Sequence, residues 1–121
     1  MYRLLLPLLL FLNPGELLSR ESCGCAGEFK VVGPAFKVRG RLSAWNGNPT
    51  FRIWVVGTKR MLGIRQGTEM PNDLQALLGS FETEVTGDFV VFPLTRQKEG
   101  VMQIVCVSKA SNLLKRSRSN H

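Results

Sequence analysis

Histidine is nearly absent from this sequence: of its 121 residues only the last, His121, is a histidine. A metal site built from several histidines is therefore excluded, and a Ser-His or Cys-His catalytic pair is strongly disfavoured. The chain also lacks the Gly-x-Ser-x-Gly elbow, a glycine-rich phosphate loop and the His-Glu-x-x-His motif. These absences predict a protein that is not an enzyme and that uses no metal and no cofactor.

Acidic residues are scarce as well, since nine Asp and Glu stand against sixteen Lys and Arg and leave a net charge of +7. From Gly100 to His121 there is no acidic residue at all. We expect residues 115–121 to form a basic disordered tail that keeps the protein soluble. The 44% of hydrophobic residues is enough for one globular domain, predicted here as 27–114.

No hydrophobic run is long enough to cross a membrane, which takes roughly 20 apolar residues. Leu4–Leu12 is shorter; Arg3 precedes it and the breaker sequence Asn-Pro-Gly follows. This pattern predicts a signal peptide over 1–26, cleaved after Ala26, rather than a buried N-terminal helix. The mature protein would be secreted or periplasmic without a transmembrane segment. We therefore expect no nucleic acid partner, but a protein or an anionic glycan or lipid surface.

Cysteines are few, and their chemistry depends on that cleavage. A mature chain starting at Gly27 keeps only Cys106, which would be a buried thiol in an apolar strand. Cleavage after Ser19 or Ser22 would instead retain Cys23 and Cys25, and a Cys25–Cys106 disulfide could form in an oxidising compartment. Metal binding by Cys23 and Cys25 is the third alternative. We rank the buried thiol first, the disulfide second and the metal last.

Alternation of apolar and polar residues predicts strands over most of the remaining chain. Apolar and polar residues alternate without exception over residues 36–44. An Asn-Gly-Asn-Pro turn follows, and Phe51–Gly57 is rich in strand-forming residues. If the two segments form a hairpin, opposed residue numbers sum to 95, so that Leu42 faces Ile53 and Arg41 faces Trp54. Every apolar partner then falls on one face.

The rest of the chain predicts a short strand at Met61–Ile64, one helix over 71–78, and strands at 81–85, 89–94 and 101–107. Six or seven short strands and one helix indicate a mainly β domain, a small β-sandwich or alternatively a five- to seven-stranded barrel. The predicted core comprises Val38, Leu42, Ile53, Val55, Phe89, Val91, Ile104 and Val105.

A basic face is the main candidate for binding. The polar side of the first strand carries Lys37, Arg39 and Arg41, and the hairpin register adds Trp54, with Arg52 diagonal to Arg41. Arginines beside a tryptophan can bind polyanions or sugars through charge, stacking and cation–π contact. We take Arg39, Arg41, Arg52 and Trp54 as tentative ligand-binding residues. The alternative is an ordinary solvated face.

Two carboxylates, Glu82 and Glu84, lie two residues apart and so point to one side of a strand. A paired-carboxylate hydrolase could use that arrangement. We favour the simpler interpretation, in which both belong to a solvated strand face.

The first strand, the Asn46-Gly47-Asn48-Pro49 turn and the strand after it resemble the opening of transthyretin-like and carboxypeptidase-regulatory-like β-sandwich modules. Thr86–Leu94 resembles a later segment of those modules, and the chain is also similar to short uncharacterised bacterial exported proteins. The resemblance implies a non-catalytic domain for adhesion, scaffolding or ligand carriage. We therefore expect an exported domain that binds a protein partner or the envelope surface, or else a carrier or sensor for a small ligand or polyanion.

Overall fold

The computed structural model describes residues 30–68, 70–79 and 81–118. The predicted signal peptide, including Cys23 and Cys25, lies outside them. The elements are β1 (Phe36–Ala44), β2 (Phe51–Val55), β3 (Met61–Ile64), α1 (Asn72–Leu77), β4 (Thr83–Pro93) and β5 (Gln103–Ser117). The prediction of a mainly β domain with one short helix is confirmed.

The five strands form a single mixed sheet that closes on itself. Their order is β1-β2-β3-β5-β4, and β4 pairs again with β1. All neighbours are antiparallel except β3 and β5, which are parallel. Because each strand has a partner on both sides, this is the barrel alternative rather than two stacked sheets.

The β1–β2 hairpin has the register predicted from the sequence. Leu42 pairs with Ile53, Arg41 with Trp54 and Gly40 with Val55. Gly40 is required by space, because a Cβ there would overlap Ile53 Cγ2 and lie 3.2 Å from the Trp54 carbonyl oxygen. The glycine therefore lets two strands approach closely inside a narrow barrel.

β4 is one strand of eleven residues, whereas the sequence predicted two separate strands at 81–85 and 89–94. The chain instead runs straight through Gly87, which pairs with Gly40 of β1. A Cβ on Gly87 would come within 2.6 Å of Leu113 Cδ2 and 2.9 Å of the Ser111 carbonyl oxygen. This glycine makes room for an irregularity in the neighbouring β5 pairing and does not form a turn.

β5 continues through Lys115 and Arg116 to Ser117. The predicted boundary at residue 114, with a disordered tail beyond it, is therefore corrected for 115–117. Residues 115–117 are exposed, so they need no apolar side chains and show no apolar alternation in the sequence. Their strand conformation comes from pairing with Thr83, Glu84 and Val85 of β4. Residues 119–121 lie outside the described part of the chain.

The core fills the barrel and is closed at one end by α1. Six of the eight predicted core residues are buried, while Val55 and Ile104 are half-buried. Leu74 of α1 is fully buried in the same cluster, and Leu77 and Leu78 pack against it. The helical spacing of leucines in the sequence predicted this helix, and these leucines cover the apolar interior.

Cys106 belongs to a second, smaller cluster on the outside of the barrel. It is fully buried beside Val31, Phe92 and Leu94, and the Val32 amide donates to the Pro93 carbonyl oxygen at 2.9 Å. Cys106 is disulfide-bonded. In the full chain the disulfide, the second-ranked alternative, is therefore present, whereas the free thiol was predicted for a chain cleaved after Ala26. The only other cysteines in the sequence are Cys23 and Cys25.

Candidate functional site

The strand registers place ten residues in two adjacent rows on the outer surface of the barrel. Both rows cross all five strands, from β3 through β2, β1 and β4 to β5. One row is Met61, Trp54, Arg41, Thr86 and Leu114, and the other is Gly63, Arg52, Ser43, Glu84 and Arg116. Three of the four predicted binding residues therefore share one continuous surface.

A cleft of about 610 Å³ opens on this surface. The strands contribute its floor, and two loops add aromatic walls: Trp45 directly follows β1 and Phe81 precedes β4. Trp45 is 37% exposed and Phe81 is 56% exposed, which is high for large apolar side chains. The lining residues are Arg41, Ser43, Trp45, Trp54, Met61, Phe81, Glu82, Glu84 and Arg118.

Two contacts orient the Trp54 ring, one at its indole nitrogen and one over the ring. Its indole Nε1 donates a hydrogen bond to the Thr58 carbonyl oxygen at 2.7 Å. The Arg41 guanidinium lies 4.9 Å from the ring centroid, a cation–π contact. The ring is therefore a fixed wall of the cleft.

Two arginines contact the Trp45 ring. The guanidinium groups of Arg118 and Arg52 lie 4.6 Å and 5.5 Å from its ring centroid. Arg118 Nη1 donates to the carbonyl oxygens of Ala44 at 2.5 Å and Phe81 at 3.0 Å. Arg118 therefore ties the end of β1 to the segment before β4 and lies against the Trp45 ring.

The basic row of β1 faces carboxylates on β4. Arg39 Nη1 lies 3.2 Å from Asp88 Oδ1, and Arg41 Nε lies 3.6 Å from Glu84 Oε1. The hydrogen bond from Asn112, at 2.7 Å, and then the bond from Arg39 lower the pKa of Asp88 below its ordinary value of 3.8. The positive charge expected on this face is therefore partly balanced.

The structure separates the four predicted binding residues. Arg41 and Trp54 line the cleft. Arg52 contacts the Trp45 ring but does not line the cleft, and its Nε donates to the Pro49 carbonyl oxygen at 2.9 Å. Arg39 is outside the cleft, in its ion pair with Asp88.

Of the nine residues that line the cleft, the sequence predicted Arg41 and Trp54 as binding residues and missed the other seven, which are Ser43, Trp45, Met61, Phe81, Glu82, Glu84 and Arg118. Glu84 was interpreted as part of a solvated face, yet it is only 5% exposed, whereas Glu82 is exposed. The signal that could have found Glu84 is the β1–β4 register, which pairs it with Ser43. Nothing in the sequence indicated that register.

Comparison with known proteins gave no match: no family model, no curated protein and no solved structure resembles this chain significantly. The transthyretin-like resemblance therefore stays a prediction. Across the described ranges, no helix is both long and apolar enough to span a membrane.

Proposed function

We propose that this protein is an exported, non-enzymatic binding domain, and that it attaches to a protein partner or to the cell-envelope surface through the aromatic cleft. The signal-like sequence of residues 1–26 supports export. The sequence contains no recognisable catalytic motif, which favours a binding role over catalysis. The cleft supplies the means of binding.

The observation that carries this proposal is the pair of tryptophans held rigidly by arginines. Trp and Arg are the residue types most enriched among those that dominate binding energy at interfaces. Here Trp54 is already oriented by a hydrogen bond and the Arg41 guanidinium, and Trp45 by the guanidinium groups of Arg52 and Arg118, so little side-chain entropy is lost on binding. The exposed Phe81 adds apolar area at the rim.

The location of the cleft is consistent with binding. Among small five-stranded barrels, OB-fold domains bind oligonucleotides and oligosaccharides on an outer strand face and its bordering loops. The cleft described here likewise lies outside β1 and β2, below the loop that carries Trp45.

A carrier or sensor for a small ligand or polyanion is the second candidate. In its favour, neither Arg52 nor Arg118 forms an ion pair with a carboxylate in the described part of the chain. Against a polyanion, Arg39 and Arg41 each have a carboxylate close by, and Glu84 lies in the cleft itself. The geometry therefore favours recognition led by aromatic contact.

The test is co-sedimentation of the full-length protein with isolated cell envelopes of its source organism, at low and at physiological ionic strength. We expect binding that Trp54→Ala reduces by about tenfold or more at both ionic strengths, because burial of an aromatic ring is not screened by salt. Val101→Ala is the matched control, since Val101 is an exposed apolar residue outside the cleft.

Two results would contradict the proposal. One is that the protein does not sediment with envelopes at either ionic strength. The other is that Trp54→Ala and Val101→Ala behave alike. Binding that disappears at physiological ionic strength and depends on Arg52 and Arg118, but not on Trp54, would favour the polyanion carrier.

A further inference from the structure

The floor of the cleft contains polar groups whose hydrogen-bonding capacity is not used within the described residues. Arg41 Nε is buried and has no acceptor. Its nearest carboxylate atom, Glu84 Oε1, is 3.6 Å away, beyond hydrogen-bond distance. The Glu84 side chain is only 7% exposed, and neither its carboxylate nor the Ser43 hydroxyl forms a hydrogen bond with another described residue. Arg41 Nε, buried and without an acceptor, is costly and therefore calls for a partner, while Glu84 and Ser43 keep unused hydrogen-bonding capacity beside it.

These groups are close together and chemically complementary. Ser43 pairs directly with Glu84 across β1 and β4, so their Cβ atoms are about 5 Å apart. Arg41 points to the same side as Ser43, about 6.6 Å along β1. The floor thus combines an acceptor at Glu84, a donor at Arg41 and a hydroxyl at Ser43 that can do either. A ligand bearing several hydroxyl groups matches this set.

The walls require a ligand that is apolar on at least one face. Trp45, Trp54 and Phe81 border the polar floor, and Met61 extends the apolar lining. The volume of about 610 Å³ is within the range of small-molecule sites. The C–H faces of a sugar ring are apolar while its edges carry hydroxyls, which fits aromatic walls above a hydrogen-bonding floor.

The charges of the cleft exclude strongly charged ligands. An anion that reached the floor would meet the Glu84 carboxylate, which already lies beside Arg41. An organic cation would meet the guanidinium groups of Arg41 and Arg118, which lie over Trp54 and Trp45. A neutral ligand avoids both penalties.

From these observations we infer that the cleft binds an uncharged sugar ring of a glycan. This inference rests on the proposed function, for which it names the ligand class. In the bound state, Glu84 accepts hydrogen bonds from ring hydroxyls, Arg41 and Ser43 contribute donors, and the ring packs against the tryptophans.

The experiment is a calorimetric and tryptophan-fluorescence titration of the full-length protein with short neutral oligosaccharides of glucose and of N-acetylglucosamine. A heparin oligosaccharide and a single-stranded oligonucleotide serve as charged probes. We expect a neutral oligosaccharide to bind with an affinity that is unchanged between low and physiological ionic strength. The charged probes should bind more weakly at physiological ionic strength.

Two substitutions in the floor connect binding to the proposed contacts. Glu84→Gln keeps the shape but loses a charged acceptor, and should weaken sugar binding by about tenfold. Ser43→Ala should weaken it by a smaller factor, and serves as the second variant if Glu84→Gln fails to fold. Val101→Ala should bind as the unmodified protein does.

The inference is overturned if no neutral oligosaccharide binds, if only a charged probe binds, or if the folded floor variants bind as tightly as the unmodified protein. Its failure can be distinguished from failure of the proposed function. If the protein sediments with envelopes through Trp54 but has no affinity for neutral sugars, the proposed binding function holds and its ligand is not a neutral sugar.

Discussion

At the scale of single residues, Asp88 shows how a strand register sets the charge of a surface. The register pairs Asp88 with Arg39 on β1 and Ser111 on β5. Next to Ser111, Asn112 adopts a positive φ of 53° and donates to Asp88 Oδ2. The carboxylate therefore has one neutral and one cationic donor, and both favour its ionised form.

We predict that Asn112→Gly raises the pKa of Asp88 towards its ordinary value, because the bond from Asn112 is the largest cause of the lowered pKa. Glycine is the suitable replacement since it tolerates the positive φ. A carboxylate-detected NMR titration measures the shift, with Asn46→Gly in an exposed loop as the control. An unchanged pKa of Asp88 in Asn112→Gly would contradict the assignment.

The sign of the pH effect on stability follows from the lowered pKa. Asp88 stabilises the folded state at pH values above its unfolded pKa, and this contribution is lost as pH falls through the folded value. The difference in stability between the unmodified protein and Asn112→Gly should therefore narrow as the pH falls below about 4. Denaturant unfolding at neutral and acidic pH checks this direction.

At the scale of elements, the β1–β2 hairpin contributes paired apolar side chains to the interior of the barrel. Leu42 and Ile53 are paired and fully buried. We predict that Leu42→Ala or Ile53→Ala lowers the free energy of unfolding by about 2–5 kcal/mol, because each leaves a cavity in a packed interior. Leu114→Ala is the control, since Leu114 is 53% exposed and should change stability by less than about 0.5 kcal/mol.

Denaturant unfolding of the three variants makes this comparison. A loss below about 0.5 kcal/mol at both Leu42 and Ile53 would refute their assignment to the core. A loss at Leu114 as large as at Leu42 would instead show that the end of β5 is covered in solution.

At the scale of the whole molecule, the disulfide at Cys106 is the main covalent constraint on the outside of the barrel. We predict that a reducing agent lowers the free energy of unfolding by about 2–4 kcal/mol, the usual contribution of a disulfide that closes a long loop. Cys106→Ala should be destabilised by a similar amount and should not respond to the reducing agent. An unmodified protein that is equally stable with and without reductant would contradict the prediction.

The disulfide also bears on export. A mature chain beginning at Gly27 would have lost both Cys23 and Cys25 and could not form this bond within one chain. If the protein is exported as proposed, its mature form should begin upstream of Cys25, which cleavage after Ser19 or Ser22 would allow. The mass of the exported protein, measured with and without reduction, decides between the two cleavage positions.

Local patterns in the sequence were sufficient to predict the β1–β2 hairpin and helix α1. Alternation in residues 36–44 and the Asn-Gly-Asn-Pro turn fixed the β1–β2 register, because one face had to be apolar. The same pattern placed Arg41 beside Trp54. The spacing of leucines located α1 and its buried face. Each of these features depends on residues that are near one another in the chain.

Tertiary structure decided how the barrel closes and where the cleft forms, because both depend on contacts between residues that are distant in the sequence. Closure of the barrel requires β4 to pair with β1 and β3 to pair in parallel with β5, and no local pattern encodes those registers. That closure buries Glu84 next to Arg41 and brings Phe81 and Arg118 to Trp45. The sequence by itself therefore determined which residues face outward on the hairpin, while long-range strand pairing turned that face into a cleft.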